Sequence, residues 1–68
     1  MYSLTIKRYG RYLNFDTLGE LKEELSLCFS PKEKSNGIIE KLTNFDTAKE
    51  KDGYKEISYQ DYTICMYL

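Results

Sequence analysis

Apolar and polar residues alternate at both ends of this chain, and the stretch between them carries one long apolar stripe at helical spacing. In Tyr2-Ser3-Leu4-Thr5-Ile6-Lys7-Arg8, Leu4 and Ile6 fall on one side and Ser3, Thr5 and Lys7 on the other. In the segment from Tyr62 to Leu68, the residues Tyr62, Ile64, Met66 and Leu68 share a face. A period of two marks a half-buried strand. The stripe consists of Leu18, Leu21, Leu25 and Cys28, with Lys22, Glu23 and Glu24 opposite, and it predicts an amphipathic helix. The architecture that hides both the stripe and the inner sides of the strands is α+β, a small antiparallel sheet with one or two helices packed on one face.

Local signals divide the rest. Tyr9-Gly10 is a turn, because glycine tolerates positive φ, and Arg11 to Phe15 returns as a second strand with Leu13 and Phe15 inward. Thr17 and Glu20 have the spacing of a capping box at the start of the leucine helix. Ser30-Pro31-Lys32-Glu33 stops that helix and is itself a helix start. Ile38, Ile39, Leu42 and Phe45 favour a short helix near 38 to 44, with a buried strand as the competing reading.

Asn-Phe-Asp-Thr occurs at 14–17 and again at 44–47, but only the first copy precedes an apolar stripe. The repeat therefore reads as strand-end chemistry rather than a duplicated unit: Phe anchors, while Asn and Asp suit a reversal. After the second copy, a two-residue turn at Asp52-Gly53 sets Lys51 against Tyr54, Glu50 against Lys55, Lys49 against Glu56 and Ala48 against Ile57. Opposite charges fall into register, which predicts a hairpin. Gln60-Asp61 offers a further turn, giving the order β-β-α-(short α)-β-β-β. A final strand at a sheet edge would allow a homodimer by edge-strand pairing.

The chain has 68 residues, which bounds it to one small domain over 1–68 with a small core and no room for a large cofactor pocket. Its 41% hydrophobic and 31% charged residues belong to an ordinary globular domain. The start lacks the apolar core of a signal peptide and no apolar run is long enough to span a membrane, so a cytoplasmic protein with no membrane partner is expected. Cys28 and Cys65, without Cys-x-x-Cys spacing and without histidine, predict two core thiols and no metal; a single disulfide in a secreted protein is the alternative. With no histidine and no recognisable catalytic loop, no catalytic residue, cofactor or enzymatic activity is expected.

Three features suggest contact with other molecules. Lys7-Arg8-Tyr9-Gly10-Arg11-Tyr12 interleaves cations and rings at a hairpin tip, as single-strand binders do, and Lys7, Arg8, Tyr9, Arg11 and Tyr12 are the candidate nucleic-acid contacts. Residues 1–15 carry three positive and no negative charges, and the remainder is net negative and would repel a polyanion. Seven tyrosines are more phenols than a core this small can satisfy, so several must reach the surface. Tyr9, Tyr12, Tyr54 and Tyr59, with the acidic helix residues Glu20, Glu23 and Glu24, are the candidate protein contacts; β-sheet preference for tyrosine and an ordinary solvated helix face are the structural alternatives. The expected role is a non-enzymatic module that binds one protein partner. Size and composition suggest a small phage or mobile-element inhibitor of a host enzyme or defence complex, of the anti-CRISPR type, by analogy alone. A nucleic-acid-binding regulator is the alternative.

Overall fold

The computed structural model describes all 68 residues. Five antiparallel strands form one sheet: β1 (Tyr2–Ile6), β2 (Arg11–Phe15), β3 (Lys49–Lys51), β4 (Tyr54–Tyr59) and β5 (Tyr62–Tyr67), in the spatial order β2-β1-β5-β4-β3. Between β2 and β3 lie α1 (Leu18–Cys28), α2 (Pro31–Ser35) and α3 (Ile38–Leu42), then a 3-10 turn at Phe45–Thr47. The fold is the expected α+β sandwich of helices on one sheet face, with two short helices after α1 rather than one.

The phase of each strand decides what it buries. Leu4 stands between Leu13 of β2 and Ile64 of β5, and Ile64 in turn faces Ile57 of β4. Leu4, Ile6, Tyr62 and Ile64 meet Leu21, Leu25 and Phe29 from the α1 region and Ile38, Leu42 and Phe45 from the later segment in one core of 10 buried residues. Leu18 and Cys28 complete the stripe from half-buried positions. The segment is helical over Ile38–Leu42, two residues short of the expected 38 to 44, and Ile38 and Leu42 are its buried side.

Caps explain the helix boundaries. The Thr17 hydroxyl accepts the Glu20 N–H at 3.2 Å and donates to the Glu20 carboxylate at 3.0 Å, so this box is only half formed: the carboxylate takes the hydroxyl rather than the Thr17 amide. At Ser30 the box is complete, the hydroxyl accepting from Glu33 N–H and the Glu33 carboxylate accepting from Ser30 N–H. Pro31 at the first turn of α2 disfavours helical backbone at Ser30, and α1 ends with Phe29 and Ser30 extended.

Four sequence expectations need correction. The first strand stops at Ile6, and Lys7–Tyr9 form a 3-10 turn closed by Gly10 at φ 60°. That turn is set by a distant partner, since Lys7 N–H donates to the Asp61 carbonyl at 3.0 Å. The second Asn-Phe-Asp-Thr copy is a 3-10 turn in which the Asn44 side chain accepts from Asp46 N–H, not the end of a strand. The final strand, β5, lies in the middle of the sheet between β1 and β4, so the edges belong to β2 and β3. The β3–β4 register is as expected at Lys49–Glu56, Glu50–Lys55 and Lys51–Tyr54, yet the ion pair runs diagonally from Lys51 to Glu56 at 3.2 Å, and Ala48 lies outside β3.

In the β4–β5 turn, Gln60 takes φ 52°, the one non-glycine residue in the left-handed region. An L side chain is disfavoured there by about 1–2 kcal/mol, and glycine gives part of that back as extra disorder of the unfolded chain. Gln60→Gly is therefore expected to stabilise the domain by roughly 0.5–1 kcal/mol, read as a rise in the urea midpoint; a fall would mean that the Gln60 side chain contributes more than its backbone costs.

Candidate functional site

The helices cover one face of the sheet and leave the other bare. Register places Ser3 of β1, Tyr12 of β2, Cys65 and Tyr67 of β5, and Tyr54 of β4 on that bare face, out of phase with the core residues beside them. Side chains on an uncovered sheet face are normally wet. Here Ser3 is only 1% exposed and Cys65 only 9%. The cover comes from tyrosine: the Tyr67 hydroxyl lies 3.3 Å from the Ser3 hydroxyl and 3.5 Å from the Tyr12 hydroxyl. Tyr12 is 58% exposed and Tyr67 37%, so both rings lie over the sheet and face solvent at once.

The row continues toward β4 and β3. The Tyr54 and Tyr67 rings sit 5.9 Å apart at 44°, an inclined aromatic contact. The Lys51 ammonium approaches the Tyr54 ring at 6.0 Å while holding Glu56. The hydrogen bond to Tyr67 holds the Tyr12 phenol above its ordinary range, and Glu56 does the same for the Lys51 ammonium. Both groups therefore keep their usual neutral-pH states. This is a preordered, mostly uncharged aromatic surface.

A second feature is a groove of about 290 Å³ at the β1–β2 turn, lined by Ile6, Arg8, Tyr9, Arg11, Glu24, Leu27, Cys28 and Tyr62. Of its two cations, Arg8 and Arg11, the first is paired. Arg8 grips Asp61 with two side-chain bonds of 3.0 and 3.1 Å and adds its backbone N–H at 3.2 Å. That fork holds the Asp61 carboxyl below the usual carboxylate range. Arg11 shares the groove with Glu24. Burial, then Glu24, pushes the Cys28 thiol up, and burial also raises the Tyr62 phenol. These shifts run away from neutrality, opposite to what a general base or thiolate nucleophile needs. A smaller recess of about 180 Å³ lies beside Glu33, Asn36, Ile38, Lys41 and Tyr59. No cluster of three metal-ligating side chains is present, and both cysteines are free, on opposite faces of the sheet.

The depressed Asp61 acidity gives a pH signature. A carboxyl with a folded pKa below its unfolded one, about 3.9, contributes stability that is present above pH ~4 and lost as pH falls through the folded value. Arg8→Met is expected to lower the urea midpoint at pH 7, with the deficit shrinking as pH falls below about 4 and on through the folded Asp61 value. An equal deficit at both pH values would assign the loss to packing instead.

The sequence candidates divide between sides of the molecule. Tyr12 and Tyr54 belong to the bare face, whereas Glu20, Glu23 and Glu24 ride on α1, behind the sheet. Tyr9 is exposed at the turn and carries the Arg8 guanidinium 5.7 Å above its ring. Tyr59 faces the helices, its ring 6.3 Å from Phe29, and works as a flank of the core. Tyr67 is the member that the sequence reading missed. The signal was available: with Tyr62, Ile64 and Met66 inward, Tyr67 must point the other way.

Fold and surface together define a small α+β domain with one helix-covered and one tyrosine-paved sheet face. No family model matches the sequence, and no solved structure matches it. A 38-residue stretch, 56% of this chain, is 42% identical to MIOREX complex component 12 of Saccharomyces cerevisiae, of which it spans 7%. The chain thus matches a small part of a much longer protein. No helix is long and apolar enough to cross a membrane.

Proposed function

We propose that the protein is a non-enzymatic binding module that seats one protein partner on the bare face of its sheet. The observation that carries this reading is the Tyr12–Tyr67–Tyr54 row, with Tyr12 and Tyr67 exposed and Tyr54 half-buried, tied down by hydroxyl contacts and ring packing. Tyrosine is enriched among the residues that dominate protein interfaces. Rings already held in place lose little freedom on docking, which lowers a main cost of association. The yeast protein is named as a component of a complex, and a role within an assembly agrees with a module of this kind. A stand-alone inhibitor from a phage or mobile element is a narrower form of the same proposal, supported by size and composition alone.

The test is affinity capture from the native host, followed by measured binding of the purified partner. Retention by the wild type and loss in a folded Tyr12→Ala/Tyr67→Ala variant supports the reading. Salt-sensitive binding of single-stranded RNA or DNA that collapses in Arg8→Ala/Arg11→Ala would overturn it in favour of a nucleic-acid regulator. The Arg8 fork to Asp61 weighs against that outcome, because a cation already paired has less to offer a phosphate.

A further inference from the structure

We propose that the free edge of β2 joins two copies of this chain, β2 against β2 in antiparallel fashion, into one continuous ten-stranded sheet. The proposal rests on sheet topology and charge, not on the use of the bare face. An edge strand presents unpaired N–H and C=O groups, and natural sheets protect such edges with shortness, charge, proline or a bulge. The other edge is protected in this way: β3 is three residues, Lys-Glu-Lys, and pairing it with itself about Glu50 would set Lys49 against Lys51 of the second copy. β2 carries a single charge, Arg11 at its first position, and otherwise lacks these devices. It runs five residues, pairs with β1 without a bulge, contains no lysine or proline, and has no strand on its outer side. Beyond the β1 ladder, its backbone makes no hydrogen bond.

Its sequence is compatible with itself. A two-fold axis at Leu13 places Leu13 on Leu13, Tyr12 on Asn14 and Arg11 on Phe15 of the second copy, with no like charges opposed. Half-buried Leu13 and Phe15 would extend the core across the junction. The same axis brings the basic turn end of one copy, with Lys7 and Arg11, against the acidic bend at Asp16 and Glu20 of the other, twice per dimer. This gives a use to the polarity of the chain, whose first 15 residues carry only positive charge.

Charge exchange tests it without touching the core. Sedimentation equilibrium of the wild type should show a monomer–dimer equilibrium in the micromolar range. Arg11→Glu alone and Asp16→Lys alone, each confirmed folded by circular dichroism, should weaken the dimer by about tenfold or more, because like charges then meet at both ends. Mixing the two variants should restore dimer as a heterodimer, since each end again pairs opposite signs. A wild type that stays monomeric to millimolar concentration, or a dimer indifferent to both substitutions and to mixing, overturns the proposal. A wild type that dimerises but retains no partner, or a folded Tyr12→Ala/Tyr67→Ala variant that still retains it, would count against the bare-face reading alone.

Discussion

Ile64→Ala is expected to remove about 3–4 kcal/mol of stability and lower the thermal midpoint by roughly 15–25 °C. Ile64 is fully buried on the central strand, set between Leu4 and Ile57 in the register. Truncation there loses the transfer energy of the removed methylenes and leaves a cavity that a hydrogen-bonded sheet cannot close. A chain of 68 residues has only about 3–10 kcal/mol in total, so this one change removes a large share of it. Leu27→Ala is the matched control, because Leu27 is 80% exposed on α1 and alanine is the better helix former. Urea unfolding followed by circular dichroism should show the first variant far below wild type and the second within about 0.5 kcal/mol of it. A loss under about 1 kcal/mol at Ile64 would contradict the core described above.

Tyr12→Ala with Tyr67→Ala is expected to have the opposite profile. Folding should persist, because both rings lie outside the core of buried residues. Partner affinity should fall by about 100-fold or more, in keeping with tyrosines at the centre of an interface, where single truncations often cost about 30-fold. Isothermal titration with the purified partner reads the change directly. Tyr59→Ala discriminates: its ring flanks the core against Phe29, so it should lower stability and leave the affinity of the folded protein unchanged. If Tyr59 controls affinity while Tyr12 and Tyr67 do not, the working surface is on the helix side.

Much of this arrangement was legible because its causes are local. Asp52-Gly53 admits a two-residue turn, and counting outward from it gives each observed β3–β4 pair. Ser30, Pro31 and Glu33 announce α2 through backbone groups within one turn of each other. What was not legible depends on partners far apart in sequence. The chain leaves β1 at Lys7 because Asp61, 53 residues beyond Arg8, takes both the Arg8 fork and, through its carbonyl, the Lys7 amide. The central place of β5 follows from its pairing with both β1 and β4, which no window of sequence contains. Burial of Cys65 on the face away from the helices hints at it afterwards, since a strand covered on both sides loses strict alternation. The split between Tyr12 and Glu23 has the same origin: both are exposed and polar, and only the three-dimensional sheet puts them on opposite sides.

The claim that the bare tyrosine face is the working surface is most directly tested by amide and tyrosine-ring chemical shifts recorded as the captured partner is added. The perturbed signals are expected to cluster at Ser3, Tyr12, Tyr54, Cys65 and Tyr67, leaving α1 and α3 unmoved. Perturbations centred instead on Arg8, Tyr9, Glu24 and Leu27, with the Tyr67 ring silent, would contradict it and assign the contact to the groove at the β1–β2 turn.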